Sequence, residues 1–245
     1  MGTAHRSALA ACAALASVVA LGAAPATADA APAPRGLLDS CAAIRRLLPI
    51  APDGPYVLIT ADLLLGVHCH DMAGTPREYL NLPDTGGATN FSQYTAGGAS
   101  PGTSTRTTFS KLRVDPATLT VDIGDLTFAT STGSLTHGVD RVTSMPYATA
   151  MSCDGTASGV ASVDLRGTAF AVDDTFAPAG AGASGAVAVA HGGQLVDITG
   201  GGYCGWNVPA PGFYNPYNPQ VGMSALELSC APAGLLRPQP CVRLG

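Results

Sequence analysis

Charge is scarce in this chain: 12 % of its 245 residues are Asp, Glu, Lys or Arg. One lysine, Lys111, stands against eleven arginines, and no run of basic residues exists. With a net charge of −5, that excludes a nucleic-acid binder, whose affinity rests on neutralising phosphates. Glutamate occurs twice, as Glu78 and Glu227, and neither adjoins a histidine, so the His-Glu-x-x-His helix of zinc peptidases is missing. There is no Cys-x-x-Cys pair for a thiolate zinc site and no Gly-x-Ser-x-Gly nucleophile elbow. Disorder is excluded by the opposite feature, a hydrophobic share of 47 %. Beyond the first thirty residues no segment reaches about 18 consecutive apolar residues, so no membrane span is expected once those thirty are removed.

Residues 1–30 have the layout of a secretory signal peptide. A short n-region ends at Arg6, a run of apolar and small residues covers Ala8 to Ala24, and small-x-small sites follow Pro25. The rival, a retained anchor, would call for basic stop-transfer residues after the run, and these are lacking. Removal deletes Arg6 and Asp29, leaving the net charge at −5 and about 215 residues, enough for one well-buried domain. Cys12 leaves with the signal. Cys41, Cys69, Cys153, Cys204, Cys230 and Cys241 remain, an even set that in an exported chain implies disulfides of open connectivity. The expected address is secreted, or extracellular.

Residues 31–36 read as a Pro/Ala leader. Leu37, Cys41, Ile44 and Leu48 fall at helical spacing, Asp39 or Ser40 offers a cap, and Pro49 ends the helix. After Pro52-Asp53-Gly54-Pro55 the periodicity becomes that of strands: Tyr56–Ile59, then Leu65–Met72 with Val67, Cys69 and Asp71 on one face and His68, His70 and Met72 on the other, then Tyr79–Leu82. The Gly-, Ser- and Thr-rich residues 84–107 read as a long loop. Lys111–Val114 and Leu119–Ile123 alternate on either side of an Asp-Pro turn and predict a hairpin. Residues 159–172 read as one strand with a phase slip at Gly167, and 185–190 with 195–198 as strands around Gly192-Gly193. Leu226–Leu228 is the last strand. The expected fold is mainly β: a single disulfide-bonded domain of many short antiparallel strands with one or two short helices.

A series of motifs then falls in a fixed order: Pro52-Asp53-Gly54-Pro55-Tyr56, Val67-His68-Cys69-His70-Asp71-Met72, Pro76 through Pro83, Asn90-Phe91-Ser92, Thr108 through Pro116, Pro146 through Cys153, Asp164 through Phe170, and Gly202-Tyr203-Cys204-Gly205. In this order and spacing the chain resembles the GON domain, the C-terminal module of certain ADAMTS extracellular metalloproteases. The resemblance covers about residues 41–206 and sets the domain at 37–206. Residues 207–245 are then a Pro- and aromatic-rich C-terminal extension carrying Cys230 and Cys241. Two departures stand out. Of the family's Cys-Gly-Gly-Tyr-Cys-Gly-x-Cys run only Cys204 survives, and Phe176 stands where the family has Trp. Residues 130–144 look like an insertion.

The resemblance implies a bridge Cys41–Cys69. Cys230–Cys241 would close a short Pro-rich loop of ten intervening residues, and Cys153–Cys204 follows by elimination and shared family context. It further implies no catalytic residues of its own, since the parents' proteolytic machinery sits in a separate domain. The expected function is a secreted non-catalytic binding module, without cofactor, for an extracellular protein, matrix or glycan ligand. The alternative is a zinc-dependent metallopeptidase-type hydrolase, the class of the parent proteins. Its metal candidates are His68 and His70, at i and i+2 on one strand face; read without function they are solvent-face residues beside a half-cystine, and the family does not keep them. Glu78 is expected in an ion pair or turn contact with a nearby Arg. Ser152-Cys153 is a nucleophile candidate only if Cys153 is unpaired. Asp122/Asp125 and Asp173/Asp174 are calcium or acid–base candidates that read more simply as turn residues, without a twelve-residue calcium loop. Phe213, Tyr214 and Tyr217 are candidate ligand contacts, as aromatics able to stack on sugar or anchor a protein, or else a tether over the domain's own groove.

Overall fold

The computed structural model describes residues 38–97, 103–137, 139–210, 225–232 and 239–244. The first element is helix α1, Cys41–Leu47. Ser40 caps it, its Oγ accepting from the Ala43 amide at 3.1 Å, while Arg45 and Arg46 complement the negative end of the helix. Cys41, Ala43 and Ile44 are buried, whereas Leu48, expected on the apolar stripe, is beyond the last turn and exposed.

The strands are, in chain order, β1 (Gly54–Ile59), β2 (Leu63–His70), β3 (Arg77–Asn81), β4 (Phe91–Ala96), β5 (Ser104–Phe109), β6 (Lys111–Asp115), β7 (Thr120–Asp122), β8 (Ala129–Gly133), β9 (Leu135–His137) and β10 (Asp140–Val142). They continue with β11 (Ala150–Cys153), β12 (Gly159–Asp164), β13 (Phe170–Val172), β14 (Phe176–Gly180), β15 (Ser184–Ala190), β16 (Leu195–Gly201), β17 (Gly205–Pro209), β18 (Ala225–Cys230) and β19 (Cys241–Arg243). The first sheet runs β1-β2-β3-β6-β7-β18-β13, with β19 also on β2. The second runs β14-β17-β11-β4-β12-β16-β15, with β5 on β4 and β8 on β5; β9 and β10 form a separate hairpin. Every pairing is antiparallel except β4 with β11. The protein is therefore mainly β, with one α-helix and three disulfides among the described residues, Cys41–Cys69, Cys153–Cys204 and Cys230–Cys241.

Inward residues of both sheets meet in one core. Leu58, Leu65, Val67, Leu80, Leu112 and Val121 come from the first sheet, and Phe109, Ala161, Val163, Val196 and Ile198 from the second. This is the two-layer solution for sheets with one apolar face each. A smaller core around Tyr94, Met145, Met151 and Trp206 takes Leu135 and Val142 from residues 130–144. Phe176, in the place of the family's Trp, packs against the main core.

Several elements depart from the sequence reading. Residues 84–107 contain β4 and the start of β5 instead of one long loop. The alternation is there, but three of its buried positions, Ser92, Thr105 and Thr107, are small hydroxyl residues. Thr105 Oγ1 donates to the Val142 carbonyl at 2.9 Å, and Thr107 Oγ1 accepts from the Met145 amide at 2.8 Å. Ser92 Oγ accepts from the Thr149 amide at 3.1 Å. The phase slip in 159–172 is a change of sheet: β12 belongs to the second sheet and β13 to the first, with Gly167 turning between them at φ +84°. Strand β2 stops at His70, since Asp71 turns left-handed at φ +55°, which buries Met72 instead of aligning it with the histidines. Residues 225–230 and 241–243 are strands of the first sheet and integral to it. Residue 66 must be glycine for this, because a Cβ there would sit 2.7 Å from Gln239 Cα and 2.8 Å from Pro240 N.

Asn90 ties the start of β4 to the end of β12 and to the loop segments that carry Asp84 and Tyr147. Its Nδ2 donates to the carbonyls of Asp84 at 2.8 Å and Asp164 at 2.9 Å. Its Oδ1 accepts from Tyr147 Oη at 2.7 Å and from the Asp164 amide at 2.9 Å. Asp164 in turn holds Arg166 in a two-point pair, which keeps the Asp164 carboxyl below the usual range. Three of the motifs quoted above thus converge on one buried polar node.

Candidate functional site

The register of the first sheet sorts its residues by face. His68 lies opposite Tyr79, and Tyr79 opposite Arg113; His70 lies opposite Arg77, and Asn81 opposite Lys111. Since Val67, Cys69, Leu80, Leu112 and Val114 face the core, period-two alternation carries these seven polar and aromatic residues onto the outer face. The loop after β7 folds over this face. Phe128 makes edge contacts with Tyr79 (centroids 4.8 Å apart), His70 (4.9 Å) and His68 (6.2 Å), and Lys111 Nζ lies 5.2 Å from its ring centre. Under this cover Tyr79 is 1 % exposed, although it points away from the core. Its hydroxyl donates to Asp125 Oδ2 at 3.1 Å, and burial pushes its pKa up. Asp125 also faces Arg113 at 3.8 Å and Arg77 at 3.9 Å.

Beside this face, past the ends of β3 and β6, lies a cleft of about 610 Å³ lined by Ser40, Glu78, Arg113, Asp115, Thr120 and Asp122 among others. Glu78 accepts the Cys41 amide of α1 at 2.7 Å, so its partner is the helix backbone instead of the expected arginine. Burial raises the Glu78 pKa.

His68 and His70 do share a face, and both stand against the Phe128 ring. His70 Nδ1 meets Asp53 Oδ2 at 2.9 Å, and His68 stands at the edge of Phe128, where burial lowers its pKa. Among the described residues no group of three or more His, Cys, Asp and Glu is placed to hold a metal ion. Asp71, next in sequence, accepts the Thr75 amide at 2.8 Å in the following turn. Cys153 is bridged, and Ser152 is buried with its hydroxyl donated to the Thr156 carbonyl, so neither is an available nucleophile. Asp122 and Asp125 cap turns at the Gly124 and Thr127 amides. Asp174 receives the Thr175 and Glu227 amides at a shallow acidic dent shared with Asp173, and burial raises its pKa. Phe213, Tyr214 and Tyr217 lie outside the described residues. Phe128, Lys111 and Arg113 were not singled out from the sequence as site residues, and Asp125 was, but as a calcium or acid–base candidate paired with Asp122. The alternation Lys111-Leu-Arg113-Val was the available signal, and it marks an outward face without saying what covers it.

Asp53 supplies a testable electrostatic contribution. Its carboxylate accepts the amides of Met72 (2.7 Å) and Asp71 (3.0 Å) beside the His70 contact, and these hold its pKa below the usual range. The folded protein thus binds fewer protons there than the unfolded chain. Asp53 stabilises the fold above about pH 4, and the gain disappears as pH falls through the folded value. Asp53→Asn is expected to unfold more easily at neutral pH and to converge on the parent as pH falls below about 4 in urea titrations. A stability gap constant with pH would exclude the carboxylate charge as its source.

The family model of the GON domain matches residues 38–100 and 96–213, which covers α1, β1 to β17 and the whole outer face described above. No curated protein and no solved structure matches.

Proposed function

Because the chain belongs to the GON domain family, an extracellular module of ADAMTS-type proteins, we propose that it is exported and acts as a non-catalytic binding module for an extracellular protein, matrix or glycan ligand. Three disulfides support the oxidising destination, and no described helix is long and apolar enough to cross a membrane. The observation that carries the binding role is the outer face of the first sheet. There Phe128 is ringed by His68, His70 and Lys111, with the Arg113 cleft alongside. An aromatic body with donors at its rim suits the face of a sugar ring or an anchoring side chain of a protein. The donors are fixed in place, Lys111 by Asn81 at 2.8 Å and Arg113 by Asp122 at 3.3 Å, so little ordering is left for binding to accomplish.

Hydrolysis would need an open metal site with three ligands and a base to activate water. His68 and His70 would be its ligands in the alternative reading; the pairing of His70 with Asp53 and the packing of both rings against Phe128 favour binding. Immobilised exported protein, screened against glycans and matrix proteins, is expected to retain a ligand whose affinity falls about tenfold in Lys111→Ala and in Arg113→Ala. Thermal unfolding should barely move in either variant. Chelator-sensitive cleavage of casein or collagen peptides, abolished by His68→Ala with His70→Ala, would overturn the proposal in favour of the zinc hydrolase.

A further inference from the structure

Among the described residues, the second sheet ends in an edge strand with which no further strand pairs. Strand β15, Ser184-Gly-Ala-Val-Ala-Val-Ala190, pairs with β16 and, among the described strands, with no other. Over seven residues it has no charge and no proline, and Val189 is 62 % exposed. Exposed edges are normally blunted by charge, proline, a bulge or a cover. The first sheet follows that rule: its edge strand β1 carries Pro55, and its Ile59 amide is taken by the Leu38 carbonyl at 2.9 Å. β15 has neither device.

The direction of its free groups can be assigned. The Ala186 amide turns toward β16, where it donates to Thr199 Oγ1 at 3.0 Å. Backbone groups alternate sides along an antiparallel strand, so Gly185, Val187 and Val189 present N–H and C=O to the open edge. The segment Ala186-Val-Ala-Val-Ala190 also reads the same in both directions about Ala188. An antiparallel mate related by a two-fold axis at Ala188 therefore meets itself in matched pairs: Val187 with Val189, Ala186 with Ala190, and Ala188 with Ala188. The valines fall at hydrogen-bonded positions and form β-branched cross-strand pairs. Ala188 falls at the narrow non-hydrogen-bonded position, which a small side chain suits. No like charges oppose one another, because the paired segment carries no charge and the one residue that meets its own copy, Ala188 on the axis, is neutral.

We infer that β15 is a self-association edge, at which two copies of this chain join their second sheets into one continuous sheet across a two-fold axis at Ala188. Five paired residues bury less than the roughly 1,200 Å² of a standard stable interface. The dimer is accordingly weak, with Kd on the order of 10–100 μM. With no charge in the paired segment, it does not depend on attraction that salt screens.

Sedimentation equilibrium of the exported protein from roughly 1 to 500 μM, bracketing that Kd, tests this. A monomer–dimer equilibrium is expected. Ala188→Lys sets two ammonium groups against each other on the axis and weakens association at least about tenfold, with monomer unfolding nearly unchanged because Ala188 is exposed. Ala188→Cys places two sulfurs across a pair whose Cα atoms lie about 4.5 Å apart, within disulfide reach, and mild oxidation yields a covalent dimer. Asp197→Cys, on neighbouring β16, does not cross-link. A monomer at every concentration, or a dimer that Ala188→Lys leaves intact, would overturn the inference. So would loss of the monomer on adding an unrelated extended peptide, without self-association in its absence.

Discussion

Asn90→Ala is expected to lower the unfolding free energy by about 4 kcal/mol, a large part of the 5–15 kcal/mol of a typical domain. Asn90 is fully buried and uses all four of its hydrogen-bonding positions: two carbonyls, one amide and the Tyr147 hydroxyl. Truncation leaves those groups without partners in the core, at roughly 1–3 kcal/mol each before relaxation. The backbone adds to the loss, since residue 90 sits at φ +50°, where asparagine is tolerated better than alanine. Urea denaturation should show the whole shift in the midpoint, with the slope retained. Tyr147→Phe removes one of the four bonds and is expected to lose about 1 kcal/mol. A loss below about 1.5 kcal/mol for Asn90→Ala would mean that water replaces the side chain and that the node does not hold these segments together.

The second large effect belongs to the bridge between helix and sheet. Cys41→Ala combined with Cys69→Ala is expected to destabilise by about 3–4 kcal/mol, because the bridge spans 28 residues of otherwise free chain. Both cysteines are fully buried against the main core, so the truncation also leaves a small void. α1 has only seven residues, too few to hold its own hydrogen bonds without tertiary support. Amide exchange in 43–47 should therefore rise more than exchange in β12 or β16. Uniform acceleration across all three segments would show that the helix unfolds only with the whole domain.

These two sites mark the division between local and distant information. The hairpin of β6 and β7 was readable because its apolar and polar residues alternate around an Asp-Pro turn, and its register, Val114 opposite Val121, follows from that turn. The helix start was readable to within a residue because Asp39 and Ser40 both offer a cap just before Cys41, and the structure uses Ser40. β4 and β5 were hidden because their inward positions include Ser92, Thr105 and Thr107 beside the apolar Tyr94, Ala96 and Phe109, and burial of those hydroxyls becomes tolerable only when Thr149, Val142 and Met145 supply partners. The outer face was half readable. Alternation put His68 and His70 on one side of a strand, but the cover of Phe128 and Asp125 arrives from a loop more than fifty residues later.

Composition, cysteine parity and strand periodicity by themselves determined the mainly β class, the one capped helix and the faces of the alternating strands, because each depends on residues within a few positions of one another. The ordered motifs carried the family as well. Tertiary structure alone decided which strand follows which in each sheet, that Asn90 meets Asp164 across 74 residues, and that Glu78 serves the helix instead of an arginine. The physical reason is that a hydrogen-bonding group specifies only the chemistry of its partner. Which donor or acceptor fills that place is settled when two sheets close over one core.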